Sequence, residues 1–226
     1  MNIDETRSFW KVASTFPADK EAVYPAHAAA HNFDGQARLI SDGGVDRAPR
    51  VLEYGCGGGS DTLSLLHRGA AVTAVDVVPT NVETTRARIL AANRLAGATE
   101  LVRLLEHSAP LPFDSGYFDS VNCHGVLHHI PEATMHEVIS EFYRVLKPGG
   151  MLYAMLYTEF LFKRCESQFN RSLPVDRAFS MMTDGGGIAR AYTEAQGRAM
   201  FEDHNFTFIK AVEYNDRDFR TFWVQR

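Results

Sequence analysis

Short blocks of consecutive apolar residues alternate along this chain with longer stretches in which apolar residues recur every three or four positions. A strand buried on both faces needs the first pattern, and a helix with one buried face needs the second. Arg50–Tyr54 predicts a first strand, Ser60–Arg68 a helix stopped by Gly69, and Ala71–Val75 a second strand. Pro79 opens another helix running to about Ala96. Within it Thr80-x-x-Glu83 has the spacing of a capping box, and Val82, Ile89 and Leu90 fall at helical spacing. Leu101–Leu105 and Phe118–Asn122 predict the third and fourth strands, separated by the loop Pro110–Gly116. After Pro131 comes the clearest amphipathic stripe, Met135, Val138, Ile139, Phe142, Val145 and Leu146, ended by Lys147-Pro148-Gly149-Gly150. Met151–Tyr157 is the fifth strand, followed by an irregular stretch to about Arg190. Thr193-x-x-Gln196 then opens a last helix, and Phe206–Tyr214 and Phe219–Val224 form an antiparallel pair. Strands alternating with helices predict a parallel sheet in an α/β domain.

The composition narrows the function classes. At 226 residues, 45% hydrophobic and 23% charged, the chain suits one domain with a substantial core and excludes a disordered, collagen-like or disulfide-framework protein. Lys and Arg number 23 against 28 Asp and Glu, and the net charge of −5 repels a nucleic-acid backbone, so no nucleic acid is expected as partner. Cys56, Cys123 and Cys165 are odd in number and widely spaced, which fits free thiols in a reducing compartment. The start Met1-Asn2-Ile3-Asp4-Glu5 is acidic, and the apolar run Met151–Tyr157 is too short to span a bilayer. A cytoplasmic protein without a membrane partner is expected.

The chemistry concentrates in Glu53-Tyr54-Gly55-Cys56-Gly57-Gly58-Gly59-Ser60, between the first strand and first helix. Such a turn needs glycine because the backbone bends sharply and a ligand approaches it closely. Asp76 ends the second strand 19 residues after Gly57, and a carboxylate there accepts hydrogen bonds from ribose hydroxyls. Loop and acid together indicate a nucleoside cofactor. A dinucleotide loop would want a third glycine where Ser60 stands and has no use for the carboxylate of Glu53. A carboxylate repels a pyrophosphate and attracts a ligand carrying a free ammonium group, as S-adenosylmethionine does.

At these residues the chain resembles a known family. Val51-Leu52-Glu53-Tyr54-Gly55-Cys56-Gly57-Gly58-Gly59 looks like motif I of class I S-adenosylmethionine-dependent methyltransferases. Pro110-Leu111-Pro112-Phe113-Asp114-Ser115-Gly116-Tyr117-Phe118-Asp119, Val126-Leu127-His128-His129-Ile130 and Arg144-Val145-Leu146-Lys147-Pro148-Gly149-Gly150 are similar to its later segments, over residues 50–157. The resemblance implies a Rossmann-like three-layer α/β sandwich. Its seven-stranded, mostly parallel sheet would have the order 3-2-1-4-5-7-6, with strand 7 antiparallel and helices on both faces. It also implies S-adenosyl-L-methionine as cofactor. Glu53 would serve the methionine ammonium, and the backbone of Gly55, Cys56 and Gly57 would line the methionine part. Asp76 would bind the ribose, Val77 would lie against adenine, and Cys123 would sit beside the cofactor. Where the family often has an acid for the adenine amino group this chain has His107, with Ser108 as the alternative acceptor.

Methyl transfer from a sulfonium asks the protein to align a nucleophile, exclude water and, for some acceptors, remove a proton. His124, after the fourth strand where the methyl should point, is the first candidate base, and His128 the second, with packing its competing role. His27 and His31 lie i, i+4 without a third ligand, so no metal is expected. Four parts are expected within the single domain of residues 1–226. They are a helical cap over 1–40 with Phe9, Trp10, Phe16, Tyr24 and Phe33, a cofactor-binding core over 50–157, a substrate lid over 158–190, and a helix and hairpin over 191–226. From Lys163 to Arg190 the lid holds five bases against three acids, hinting at an anionic substrate, and Asp184-Gly185-Gly186-Gly187 would serve as its hinge. The function expected is methylation of O, N or C of a small molecule. The alternatives are an NAD-dependent oxidoreductase of similar fold and a non-catalytic methyltransferase-like partner protein.

Overall fold

The structure is a computed structural model that describes residues 48–92, 101–164, 180–182, 188–214 and 217–226. The expected N-terminal cap, with Tyr24, His27 and His31, lies outside the described residues, as do Cys165 and the glycine hinge 185–187. The elements in chain order are β1 (Arg50–Tyr54), α1 (Ser60–His67), β2 (Ala71–Asp76), α2 (Pro79–Ala91), β3 (Val102–Leu104) and β4 (Phe118–His124). A short 3-10 turn, Leu127–His129, leads to α3 (Glu132–Val145), β5 (Leu146–Thr158), α4 (Glu159–Arg164), β6 (Ser180–Met182), β7 (Ile188–Tyr192), α5 (Glu194–Glu202), β8 (Thr207–Tyr214) and β9 (Phe219–Gln225).

Strand alternation sorts the core into two layers. Leu52, Tyr54, Val121, Cys123, Leu152 and Ala154 point to one face of the sheet, where they meet Val138, Ile139 and Phe142 of α3 and Met200 and Phe201 of α5. Val51, Val72 and Ala74 point to the other, under Leu65 of α1 and Val82 and Ile89 of α2. The stripe read on α3 is buried along its whole length, from Met135 to Val145. These opposed layers make the three-layer sandwich.

The sheet order is β3-β2-β1-β4-β5-β7-β6, with β9 also paired to β5 and β8 to β9. The expected seven strands appear as β3-β2-β1-β4-β5-β9-β8, with β9 antiparallel to β5 from Met151 to Tyr157. Beyond them lies a hairpin the sequence did not announce. β7 joins the carboxyl end of β5 in parallel at Tyr157 and Thr158, and β6 pairs antiparallel with β7. The stretch after β5, expected to be irregular, therefore contains α4 and this hairpin. The supposed capping box at Thr80 is absent. Val78, in an extended conformation, is the N-cap of α2 and Pro79 takes the first helical position, so Thr80 lies too far inside the helix to cap it. At α5 both bonds of the expected box form, Thr193 Oγ1 accepting from the Gln196 N–H and Gln196 Oε1 from the Thr193 N–H. β4 also runs on to His124, two residues further than its apolar pattern indicated.

Candidate functional site

β1, β2, β4 and β5 are parallel neighbours, so their carboxyl ends bring Tyr54, Asp76, His124 and Thr158 to one edge of the sheet. The glycine loop leaves β1 at that edge. Gly55 has φ 77° and Gly57 φ 51°, conformations that a residue with a β-carbon rarely adopts. The Gly55 and Cys56 N–H groups both donate to the Val75 carbonyl, at 2.8 and 3.0 Å, and the Gly57 N–H donates to Asp76 Oδ2 at 2.9 Å. These amides thus tie the loop to β2 instead of turning outward as an anion cradle.

One face of α2 holds the same loop from the other side. Asn81 Nδ2 donates to Asp76 Oδ2 at 3.1 Å, Thr85 Oγ1 to the Gly57 carbonyl at 2.9 Å, and Arg88 to the Gly58 carbonyl at 2.5 Å. The three residues recur at i, i+4 and i+7, which puts them on one helical stripe. Asp76 also accepts from the Val78 N–H at 2.9 Å. Burial pushes its carboxyl above the usual range, and this set of N–H donors pulls it back. Cys56 Sγ lies 3.7 Å from Thr85 Oγ1, and burial raises its thiol, which makes it a packing group and not a nucleophile.

A second cluster lies on the same side of the sheet. Glu53 and Asn122 are register partners on β1 and β4, and Asn122 Nδ2 donates to Glu53 Oε2 at 2.8 Å. Glu53 is 2% exposed, and burial, reinforced by the nearby Asp61, holds its carboxyl well above its ordinary value. Asp61, in the first turn of α1, meets His124 Nδ1 at 2.6 Å and also accepts from Asn122. Burial alone would depress His124, but the Asp61 carboxylate raises it. Burial pushes Asp61 the other way, and His124 and Asn122 bring it below its usual range.

Sequence reasoning placed Glu53, Gly55, Gly57, Asp76 and His124 around this edge but missed Asp61, Asn122, Asn81, Thr85 and Arg88. The polar stripe on α2 was present in the sequence as a signal. The Asp61–His124 contact joins residues 63 apart and had none. Val77 is half-buried against the main core. His107 is exposed in the segment after β3, next to buried Ser108, whose carbonyl accepts from the Tyr54 hydroxyl at 3.1 Å.

Two expectations need correction. Cys123 turns its side chain into the apolar core, is 0% exposed, and burial raises its thiol, so it does not offer that side chain to a cofactor. His128 is 0% exposed and stacks on Tyr157 with ring centroids 3.8 Å apart. Burial and the neighbouring His129 and His124 hold its imidazole well below its ordinary range, and a neutral ring sealed in an aromatic stack serves packing and not proton transfer. Of the five lid bases, Arg190 donates to the Ile130 carbonyl and Lys163 lies 5.8 Å from the Phe160 ring centre. Among the described residues, no group of three His, Cys, Asp or Glu side chains could hold a metal ion, and no helix is long and apolar enough to cross a membrane.

A family model described as a methyltransferase domain matches residues 52–154. An uncharacterised methyltransferase of Synechocystis is 31% identical over 127 residues, 54% of this chain and 56% of that protein. A ubiquinone biosynthesis O-methyltransferase of Xanthomonas oryzae pv. oryzae is 38% identical over 105 residues, 46% of this chain and 41% of that protein. The chain thus matches about half the length of these curated relatives. Among solved structures, an S-adenosylmethionine-dependent methyltransferase of Methanosarcina mazei superposes with a TM-score of 0.65 at 22% identity, covering 83% of this chain and 96% of the other. The 1,6-didemethyltoxoflavin N1-methyltransferase of Burkholderia thailandensis, solved with bound 1,6-didemethyltoxoflavin and S-adenosylhomocysteine, gives 0.64 at 18% identity, covering 96% and 86%. At such identities the likeness of the structures speaks for the fold.

Proposed function

We propose that this chain, whose residues 52–154 match a methyltransferase-domain model, is a class I S-adenosylmethionine-dependent methyltransferase and moves a methyl group from S-adenosylmethionine to O, N or C of a small molecule. The observation that carries the reading is the pairing of Asp76 with Gly57. The carboxylate is fixed at the end of β2 by the loop's own N–H, and a β-carbon added to Gly57 would meet nothing within 4 Å, so the loop has an open side next to the acid. The residues fit the group. Asp76 would take the ribose hydroxyls and Glu53 the methionine ammonium, with Gly55, Cys56 and Gly57 against the methionine chain. Val77, with His107 or Ser108, would stand at the adenine.

When bound, the sulfonium supplies an activated methyl carbon, which leaves alignment and exclusion of water to the polypeptide. The rival dinucleotide reading places a pyrophosphate at the start of the first helix. Here that helix carries Asp61 in its first turn with Glu53 beside it, and three loop amides are already bonded to β2 and Asp76. A doubly charged phosphate bridge would find carboxylates there. The acidic net charge supports a small acceptor, as do relatives named for ubiquinone biosynthesis.

Calorimetric titration with S-adenosylmethionine tests the assignment. Wild-type protein should bind, and Asp76→Ala should weaken binding at least about tenfold, or 1.4 kcal/mol. Absent binding, an unchanged affinity in the variant, or tighter binding of NAD would overturn it.

A further inference from the structure

We propose that Asp61 and His124 form a proton-accepting dyad, in which the Asp61 carboxylate fixes the imidazole so that His124 Nε2 takes the proton of a hydroxyl acceptor during its methylation. This rests on the methyltransferase reading and names the acceptor class for the same site. His124 is the last residue of β4 and Asp61 stands in the first turn of α1, so both reach the sheet edge that carries the glycine loop. Their side chains are 14% and 19% exposed, enough to meet a ligand from that edge, unlike the sealed His128. An ionised carboxylate only accepts, so the 2.6 Å contact requires the proton on His124 Nδ1. In the neutral ring the lone pair then belongs to Nε2, and the ring cannot turn without breaking the Asp61 bond.

His124 first, and Asn122 after it, keep Asp61 charged in so enclosed a place, and Asn122 links it to Glu53. The Asn122 amide donates to Asp61 and to Glu53 Oε2, separating two carboxylates that would otherwise compete for one proton. Among the described residues, the titratable groups around His124 include Asp61 of α1, which touches the ring, His128 of the 3-10 turn, and Glu53 of β1, which Asn122 joins to Asp61. Asp61 touches the ring at 2.6 Å, and its charge makes the ring a stronger base than an ordinary histidine.

That extra basicity suits a hydroxyl. A neutral amine attacks with its own lone pair and loses its proton afterwards, whereas a hydroxyl is a poor nucleophile until its proton leaves. In the step, the acceptor oxygen's lone pair forms the bond to the donor's methyl carbon. The carbon–sulfur pair stays on sulfur, turning sulfonium into thioether, and the hydroxyl proton passes to Nε2 and then to water. Charge and atoms balance with the sulfonium as the only co-reactant. Asp61 is a positioning residue here, and His124 is the catalytic one.

The test uses the full chain. Side-chain NMR of labelled histidines, with His124→Gln to assign the signal, should show the Nδ1–H tautomer and a titration above about 6.5. In Asp61→Asn the titration should fall below that value, because burial then acts alone, and Asp61→Glu should restore it. In parallel, S-adenosylhomocysteine release is followed with catechol and 4-hydroxybenzoate as hydroxyl probes and benzylamine as the amine. His124→Gln should cost about a hundredfold or more in kcat on the phenols. Asp61→Asn should lower kcat and shift the pH profile acidward, and both variants should still bind S-adenosylmethionine, which reports that they fold. Unchanged His124 titration in Asp61→Asn, turnover confined to the amine, or no release from any phenol while the cofactor binds would overturn the dyad. Failure of the wild type to bind S-adenosylmethionine would instead overturn the methyltransferase reading beneath it.

Discussion

A β-carbon built on Gly55 would lie 2.3 Å from Val126 Cγ2, whereas one built on Gly57 would meet nothing within 4 Å. Both residues have positive φ, so either alanine substitution strains the backbone by about 1–2 kcal/mol. Gly55→Ala adds overpacking against the segment that follows β4, a further cost of about 1–3 kcal/mol. In a domain of this size about 1 kcal/mol moves the midpoint by roughly 2–4 °C, so the unliganded melt should fall clearly further for Gly55→Ala than for Gly57→Ala. Cofactor affinity should respond out of proportion at Gly57, where the new methyl group projects into the loop's open side. Equal melting losses would mean that Val126 yields. Full affinity in Gly57→Ala would mean that the ligand lies elsewhere.

At the scale of elements, α2 works as a brace through Asn81, Thr85 and Arg88. Thr85 is fully buried, and Thr85→Val keeps its shape while leaving the Gly57 carbonyl without this donor. Removing one donor from this part-buried carbonyl costs about 1 kcal/mol, so the urea midpoint should drop accordingly, and Thr85→Ser should recover most of the loss. A Val variant as stable as wild type would show that the brace is redundant. The same helix shows where sequence reading works and where it stops. Strand order and the α3 stripe were legible because short loops and a 3.6-residue period leave few alternatives. The cap of α2 was misread because Pro79 fixes the first helical position, which moves the cap to Val78 and strands the Thr80 pattern inside. The β6–β7 hairpin escaped because its strands are short and flanked by glycines and polar residues. The Glu53–Asn122–Asp61–His124 cluster escaped for a different reason: it depends on the register of β1 against β4, which no local pattern encodes.

At the scale of the whole molecule, several acidic groups among the described residues fall into two environments that respond oppositely to pH. Glu141 beside Arg144, and Glu213 beside Arg217 and Arg220, lie below the ordinary carboxylate range because of their guanidinium partners. Their contribution is present above the ordinary carboxylate value and is lost as pH falls through their lowered values. Glu53 runs the other way. Burial raises it, so its contribution is complete below the ordinary value and is lost as pH climbs through the raised one. The unliganded protein therefore loses stability at Glu53 as pH rises above the ordinary carboxylate value, and a ligand ammonium placed against that carboxylate would offset the loss. Two results should follow. The rise in melting temperature on adding S-adenosylmethionine should be larger at pH 8 than at pH 5. Calorimetry in buffers of different ionisation enthalpy should register proton release on binding at the lower end of that interval. Glu53→Gln should abolish the Glu53 share of both effects while weakening binding by about tenfold or more, the scale of one lost charge-assisted contact. A wild-type protein whose ligand stabilisation is flat with pH and unchanged by Glu53→Gln would place the ammonium away from Glu53 and leave that carboxylate bonded to Asn122 alone as a structural group.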